Sequence, residues 1–361
     1  MKLINSTVKK EIKKLNRISG SNSKRFQYLR LDKNERLLPL KKHDLKAFQI
    51  SISGNDIMGY AELDDTYNSL ARFLKVKTNQ LHIAAGSDLA IKSVFETFVK
   101  YNNSVVVQSP SYAMTQVYAK MFGAKIKYFK TNQDLKVKFD DVLTQVDNKT
   151  KLVVIENPNG FVGNMFKFNE LEKFAKKLLK KNIILLIDEA YFYVENNIFD
   201  KKKIIKKYPN VIISQTFSKG HGLAGVRFGY LISNEKIMNY INKVRPMHEI
   251  SSLSAKAAKW ALSRPKMNKE FQKSIQVSKE FLEKELSSLK IKYKMTTANF
   301  FLIFAPNIGR TKNLANKLKR KKILIRRPFE QKNIRGWIRV CVGSLIDSKK
   351  LISVLKKIIK T

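Results

Sequence analysis

The residues Ser214-Gln215-Thr216-Phe217-Ser218-Lys219-Gly220-His221-Gly222-Leu223-Ala224-Gly225-Val226-Arg227-Phe228-Gly229 set one lysine among small hydroxyl residues and glycines. Arg227 follows a short way on. A lysine amine becomes a nucleophile when its surroundings favour the neutral form and hold it against a carbonyl, as in Schiff-base formation. Thr216, Ser218 and Arg227 are the donors needed to hold a phosphate nearby, and glycines let backbone approach a ligand. Together they suggest a lysine bound to pyridoxal phosphate. An ordinary surface turn has a similar composition, so the segment needs independent support.

That support comes from polar residues placed where apolar strands end. Asp188 closes the run Ile183-Ile184-Leu185-Leu186-Ile187, where an unpaired carboxylate would be costly. A protonated pyridine nitrogen would serve as its cation; the competing account is an aspartate that caps the next turn. Tyr191 stands three residues on and could reach a phenolic oxygen of the same ring. Gly86-Ser87-Asp88 joins a strand to a helix, so backbone N–H groups and the helix dipole can cradle a phosphate; simple N-capping by Ser87 or Asp88 is the alternative. Asn157-Pro158-Asn159-Gly160 is either a tight turn or a turn that also presents an amide to a ring. Tyr112, after Pro110-Ser111, could supply a stacking face or merely fill core.

These residues need a scaffold that brings strand ends together. Apolar runs at Leu81–Ala84, Val105–Val107, Leu152–Ile155, Ile183–Ile187 and Val211–Ser214 read as strands. Helical spacing appears at Leu63–Leu74, Leu89–Val99, Tyr112–Phe122, Glu170–Leu179 and Lys202–Lys206. The alternation predicts an α/β fold with a largely parallel sheet covered on both faces, and ligands bind such sheets outside the C-terminal strand ends. Residues 51–240 form this large domain. Residues 1–50 read as an arm, with a lysine-rich helical start (Met1–Arg17), a polar stretch (Ser19–Lys24) and an extended piece near Tyr28–Leu31. Residues 241–361 read as a smaller α+β domain that the arm joins. It has a long helical stretch from Glu235 to Leu289 interrupted at Pro246 and Pro265, strands at Asn299–Phe304, Ile323–Ile325 and Trp337–Val342, and a closing helix Ser348–Ile359.

Composition bounds the rest. A hydrophobic content of 43% with 28% charged residues describes a globular chain, and no apolar run reaches membrane-span length. One cysteine, Cys341, excludes an internal disulfide framework, and with four scattered histidines (His43, His82, His221, His248) no metal site is expected. No apolar segment follows the basic N-terminus, so a secretory signal is not expected and the setting reads as cytoplasmic. Lysine and arginine outnumber acidic residues 71 to 29, a formal charge of +42. The lysines spread along the whole chain with no nucleic-acid-binding motif, which favours a solvated surface over a dedicated polyanion partner.

The order and spacing of the polar residues resemble the fold-type I pyridoxal-phosphate aminotransferases, in particular the histidinol-phosphate aminotransferase branch. The resemblance runs from Leu31-Asp32-Lys33-Asn34-Glu35 to Arg339. It implies the PLP-transferase fold and a pyridoxal 5′-phosphate cofactor held on Lys219, with Asp188 on the pyridine nitrogen and Tyr191 and Asn157 on the ring oxygen. It further implies Tyr112 stacked on the ring, and Ser87, Asp88, Thr216, Ser218 and Arg227 around the phosphate. Tyr60 matches a tyrosine that crosses a homodimer interface to the neighbouring subunit's phosphate. Arg326 and Arg339 match two arginines that hold the substrate's anionic end, and Asn34 lies in the N-terminal segment that helps read the substrate.

Three departures stand out. The family's Asn-Pro-Asn-Asn-Pro-Thr-Gly is Asn157-Pro158-Asn159-Gly160-Phe161-Val162-Gly163 here, Asn-Glu-Asn-Pro becomes Asn34-Glu35-Arg36-Leu37, and the proline expected after Tyr60 is Ala61. The implied activity is ping-pong transamination between an anionic amino substrate and a 2-oxo acid, with 2-oxoglutarate and glutamate as the second pair. Lys219 acts as base and acid once freed. Decarboxylases of the threonine-phosphate type share these motifs, and a non-catalytic basic scaffold is the reading from another class. His221 is expected to be a loop residue without a catalytic task, and Cys341 buried and inert.

Overall fold

The computed structural model describes residues 7–13, 15, 24–191 and 201–360. The helical start expected over Met1–Arg17 lies partly outside them, as does most of the polar stretch Ser19–Lys24; the helix Lys10–Lys13 is within.

Seven strands form the main sheet: β2 (Leu81–Ala84), β3 (Ser104–Ser109), β4 (Lys125–Lys130), β5 (Thr150–Glu156), β6 (Ile184–Asp188), β7 (Val211–Thr216) and β8 (Gly229–Ile232). Their order is β2-β8-β7-β6-β5-β3-β4. The strands from β7 to β4 are mutually parallel, while β8 runs antiparallel to both β7 and β2.

Alternation along each strand sends apolar side chains to both faces. Val106, Val153, Ile155, Leu185, Ile187 and Ile213 pack on one side with Phe174 and Leu178 of the helix Phe168–Leu179. Val105, Val107, Leu152, Val154, Leu186 and Ile212 pack on the other with Ile91, Val94 and Phe95 of the helix Ser87–Phe98. The same parity governs the polar strand ends. Glu156, Asp188 and Ser214 lie in one register row and face the Ser87–Phe98 side.

A second core is built on a three-stranded antiparallel sheet of order β12-β10-β9, with β9 Tyr293–Met295, β10 Phe300–Phe304 and β12 Trp337–Cys341. Phe301, Ile303, Ile338 and Val340 from these strands meet Phe271 and Leu282 of the helix Pro265–Ser288 and Leu351 and Leu355 of the helix Leu345–Lys360. β1 (Leu29–Leu31) pairs in parallel with β11 (Ile323–Ile325), and Leu31 enters this core. No described helix is long and apolar enough to cross a membrane.

Several elements differ from expectation. β4, Lys-Ile-Lys-Tyr-Phe-Lys, is an edge strand whose lysines hide its period while blocking edge-to-edge pairing. The helix Ile308–Arg320 buries only Thr311 and Leu318, too thin a stripe to read as a helix. The helical stretch does break at Pro265, which starts the next helix as its first residue, where its missing N–H is among the four that need no intrahelical acceptor. Glu235–Leu289 is consequently three α-helices, Glu235–Ile241, Ser252–Leu262 and Pro265–Ser288.

β8 begins where it touches the turn before the Ser87–Phe98 helix. A Cβ on Gly229 would collide with the backbone of Gly86 and Ser87, which has no rotamer to yield. Gly229→Ala is expected to destabilise the fold by about 1–3 kcal/mol, as overpacking does. A urea unfolding midpoint equal to wild type would show that strand and turn can separate at no cost.

Candidate active site

The C-terminal ends of β5, β6 and β7 converge with the helix Ser87–Phe98 and the loop that follows β7. Lys219 lies in that loop, half-buried. Its Nζ donates to the backbone carbonyl of Lys33 at 2.9 Å and stands 5.7 Å from the centre of the Tyr191 ring. The Tyr191 hydroxyl accepts from Asn34 Nδ2 at 2.9 Å. Asn34 is fully buried at φ 53°, a left-handed conformation asparagine tolerates, and its carbonyl accepts from Asn299 Nδ2. The arm thus reaches the lysine and the tyrosine through consecutive residues.

Asp188 is buried at the end of β6, and its Oδ1 has no hydrogen-bond partner. Burial raises its carboxyl to about 8; neighbouring Glu156 adds to the shift and the Ala190 N–H opposes it. The turn-capping account therefore covers part of this carboxylate and leaves one oxygen aimed at nothing. Glu156 is also buried and is raised to about 7 by burial, against the N–H groups of Tyr112 and Gly160. Glu189, on the opposite face, is raised to about 7 by burial and held by Gln215 Nε2 at 2.7 Å and Lys201.

The two phosphate-seat segments meet. Gly86 sits at φ 85°, and a side chain there would strike the Arg227 guanidinium. Arg227 Nη1 donates to Ser218 Oγ at 3.3 Å, while Ser218 N donates to Thr216 Oγ1 at 3.1 Å. Gly86 occupies the N-cap position, and neither Ser87 nor Asp88 caps the helix. This corrects the capping alternative: the first-turn N–H groups keep no intrahelical acceptor, which suits an anion. Asp88 instead accepts from the Tyr118 hydroxyl at 2.8 Å. Tyr112 is the N-cap residue of the helix Ala113–Met121, and burial with nearby Asp88 raises its phenol.

Asn157 forms a paired contact with Phe166, accepting from its N–H at 2.7 Å and donating to its carbonyl at 3.3 Å. One amide hydrogen of Asn157 remains beyond that pair.

Arg326 and Arg339 come together against Phe161, 4.4 Å and 5.6 Å from its ring centre. Arg339 is buried, donating to the carbonyls of Gly160 and Asp32. Burial and the neighbouring Arg339 lower Arg326 to about 10, and burial lowers Arg339. The Nε of each is buried with no hydrogen-bond partner. Two like charges are thus confined side by side with one donor of each unused.

Tyr60 does not join this assembly. Its ring is 78% exposed and stacks on His248, with centroids 3.8 Å apart. His221 is fully buried, stacked on Phe217 at 3.9 Å and bonded to Asn268, and burial lowers it to about 3. Cys341 is free and buried, its thiol raised to about 12 by burial. No cluster of metal-ligating side chains occurs among the described residues. Glu156 escaped the sequence reading because the strand was ended at Ile155; an acidic residue closing an apolar run was the signal, as at Asp188.

The aminotransferase class I and II family model matches residues 27–358, and the chain belongs to that family. Among its relatives, the histidinol-phosphate aminotransferase of Pelagibacter ubique is 32% identical over 296 residues, covering 80% of this chain and 81% of the relative. That of Thermoanaerobacter pseudethanolicus is 30% identical and covers 99% of this chain and 100% of the relative. In fold, the chain matches the crystal structure of histidinol-phosphate aminotransferase from Sinorhizobium meliloti in complex with pyridoxal-5′-phosphate, with a TM-score of 0.89 and 21% identity over 98% of both chains. The chain is an aminotransferase similar to these histidinol-phosphate enzymes.

Glu156, Asp188 and Glu189 each have a folded-state pKa above that of an unfolded carboxylate. Their contribution to stability is complete below about pH 4 and is lost as pH rises through 7 to 8. The melting temperature of the cofactor-free protein is expected to fall between about pH 4 and 8 and to level off above, with a shallower slope in Asp188→Asn. Equal slopes in calorimetry would exclude Asp188 as a contributor.

Proposed function

We propose that the chain is a pyridoxal 5′-phosphate-dependent aminotransferase acting on an anionic amino substrate of the histidinol-phosphate type. A 2-oxo acid is the acceptor, with 2-oxoglutarate and glutamate as the second pair in a ping-pong cycle. The single observation that carries this reading is Asp188, a buried carboxylate at a strand end with one oxygen unpartnered. A pyridinium N–H is the donor and the cation that oxygen lacks.

The residues fit the cofactor along its length. Arg227, Ser218, Thr216 and the first-turn N–H groups from Ser87 and Asp88 would hold the phosphate. Tyr112 would cover the ring, and Tyr191 and the free amide hydrogen of Asn157 would approach its oxygen. When bound, the cofactor supplies an electron sink for the electrons released at the substrate's Cα. Asp188 keeps the ring nitrogen charged so that the sink works. Lys219 would hold the cofactor through its amine and, when that amine is free, would carry a proton from the substrate's Cα. Its present acceptor, the Lys33 carbonyl, gives the amine a resting position when it is not so engaged.

Arg326 and Arg339 would grip the substrate's phosphate or carboxylate. Their planar forks suit either anion better than lysine would. Asn34 fixes the Tyr191 hydroxyl from the arm and so acts beside the substrate. We further propose a cytoplasmic homodimer. Ile50, Ile57, Met58, Tyr60 and Met247 are exposed apolar side chains on adjoining segments, and a second copy covering them would carry Tyr60 toward the neighbouring site.

Purified protein given pyridoxal phosphate is expected to show the absorbance of a lysine-bound cofactor, absent in Lys219→Ala. A colourless wild-type protein that refuses the cofactor would overturn the reading. Arg339→Lys is expected to raise KM for histidinol phosphate at least tenfold, because a point charge replaces a bidentate fork; a KM within twofold would remove Arg339 from the substrate seat.

A further inference from the structure

Glu156 ends β5 directly beside Asp188 in the register of β6, and strand alternation turns both toward the same face. Its carboxylate is the meeting point of two segments that carry different halves of the site. One oxygen accepts from the backbone N–H of Tyr112. The other accepts from the Gly160 N–H at 3.0 Å and from Asn159 Nδ2 at 3.2 Å. Asn159 Nδ2 also reaches the Pro110 carbonyl at 3.1 Å, and its Oδ1 accepts from the N–H groups of Phe161 and Val162. The Gly160 carbonyl then accepts from Arg339, whose guanidinium lies against the Phe161 ring with that of Arg326.

Three donors converging on one side chain need two oxygens with several lone pairs, which a carboxylate offers and a neutral amide does not. Glu156, Asn159 and Gly160 are buried, so a bond lost between them leaves a buried N–H without a partner. Burial raises the Glu156 carboxyl, Arg339 and Arg326 oppose that shift, and Glu156 in turn adds to the raising of Asp188. Nothing in the reading of the reaction asks Glu156 to touch substrate or move a proton.

We propose that Glu156 is a positioning residue: by holding the Tyr112 backbone and the rebuilt Asn159–Gly160 turn, it sets the cofactor's stacking face and the Arg339 anion seat relative to each other. Cofactor affinity and substrate affinity are thereby linked through one side chain. The inference rests on the proposed aminotransferase chemistry and deepens it.

Two substitutions test it. Glu156→Gln keeps the length but replaces one acceptor oxygen by an NH2 group that faces an N–H donor. Glu156→Asp keeps the charge but withdraws it by one methylene, so it cannot span Tyr112 and Gly160 together. Each is compared with wild type by titrating pyridoxal phosphate into the cofactor-free protein and by steady-state kinetics with histidinol phosphate and with glutamate. Both are expected to weaken cofactor binding and raise KM together, each about tenfold, with kcat within about threefold. Should either variant fail to fold, Asn159→Ala removes one donor and leaves the carboxylate, and the same paired loss is expected at smaller size. A folded variant in which only one of the two constants moves, or neither, overturns the linkage. Wild-type protein that takes up no cofactor would instead refute the functional reading on which it stands.

Discussion

The chain buries a carboxyl group at the end of a strand, where burial raises it to about 8. Asp188 follows a run of buried aliphatic residues, lies in the same register row as Glu156, and keeps one oxygen without a donor. Burying such a group is expensive, and removing it would relieve the apoprotein. The expense is intelligible if the missing donor arrives with a ligand. Much of the surrounding architecture then follows from where that ligand must lie: a helix N-terminus on the same face, an arginine over a glycine, and a lysine on the next loop.

The basic groups show a parallel economy. Arg326 and Arg339 are pressed together beside Phe161, and each keeps a buried Nε unpartnered. Burial, and after it the neighbouring Arg339, lowers Arg326, so the pair is costly to confine. The aromatic ring returns part of that cost through its electron-rich face. One carboxylate oxygen of Asp188 and the Nε atoms of Arg326 and Arg339 are thus buried polar atoms of opposite character without partners in the same half of the molecule.

Most of this was legible in the sequence for a specific reason. Asp188 and Lys219 sit in contexts that expose their chemistry, one in an aliphatic run and the other among glycines and hydroxyls. The parallel strands were readable because burial on both faces makes them nearly all apolar. What escaped had no such contrast. β4 alternates lysine with apolar residues on an edge, and the helix Ile308–Arg320 buries only two side chains. Glu156 closes an apolar strand just before a turn motif, so in sequence it reads as part of the turn and not of the strand. The stack of Tyr60 on His248 joins residues far apart in sequence, and no local pattern announces such a pair.

The pairing of β1 with β11 has a mechanical corollary. Asp32, Lys33 and Asn34 follow β1 directly, and they contact Arg339, Lys219 and Tyr191 in turn. Any tilt of the β1–β11 pair and the core that Leu31 enters, relative to the large sheet, would drag this tripeptide along with it, like a cord sewn to a hinged flap. The Lys219 amine would lose its carbonyl tether in the same stroke.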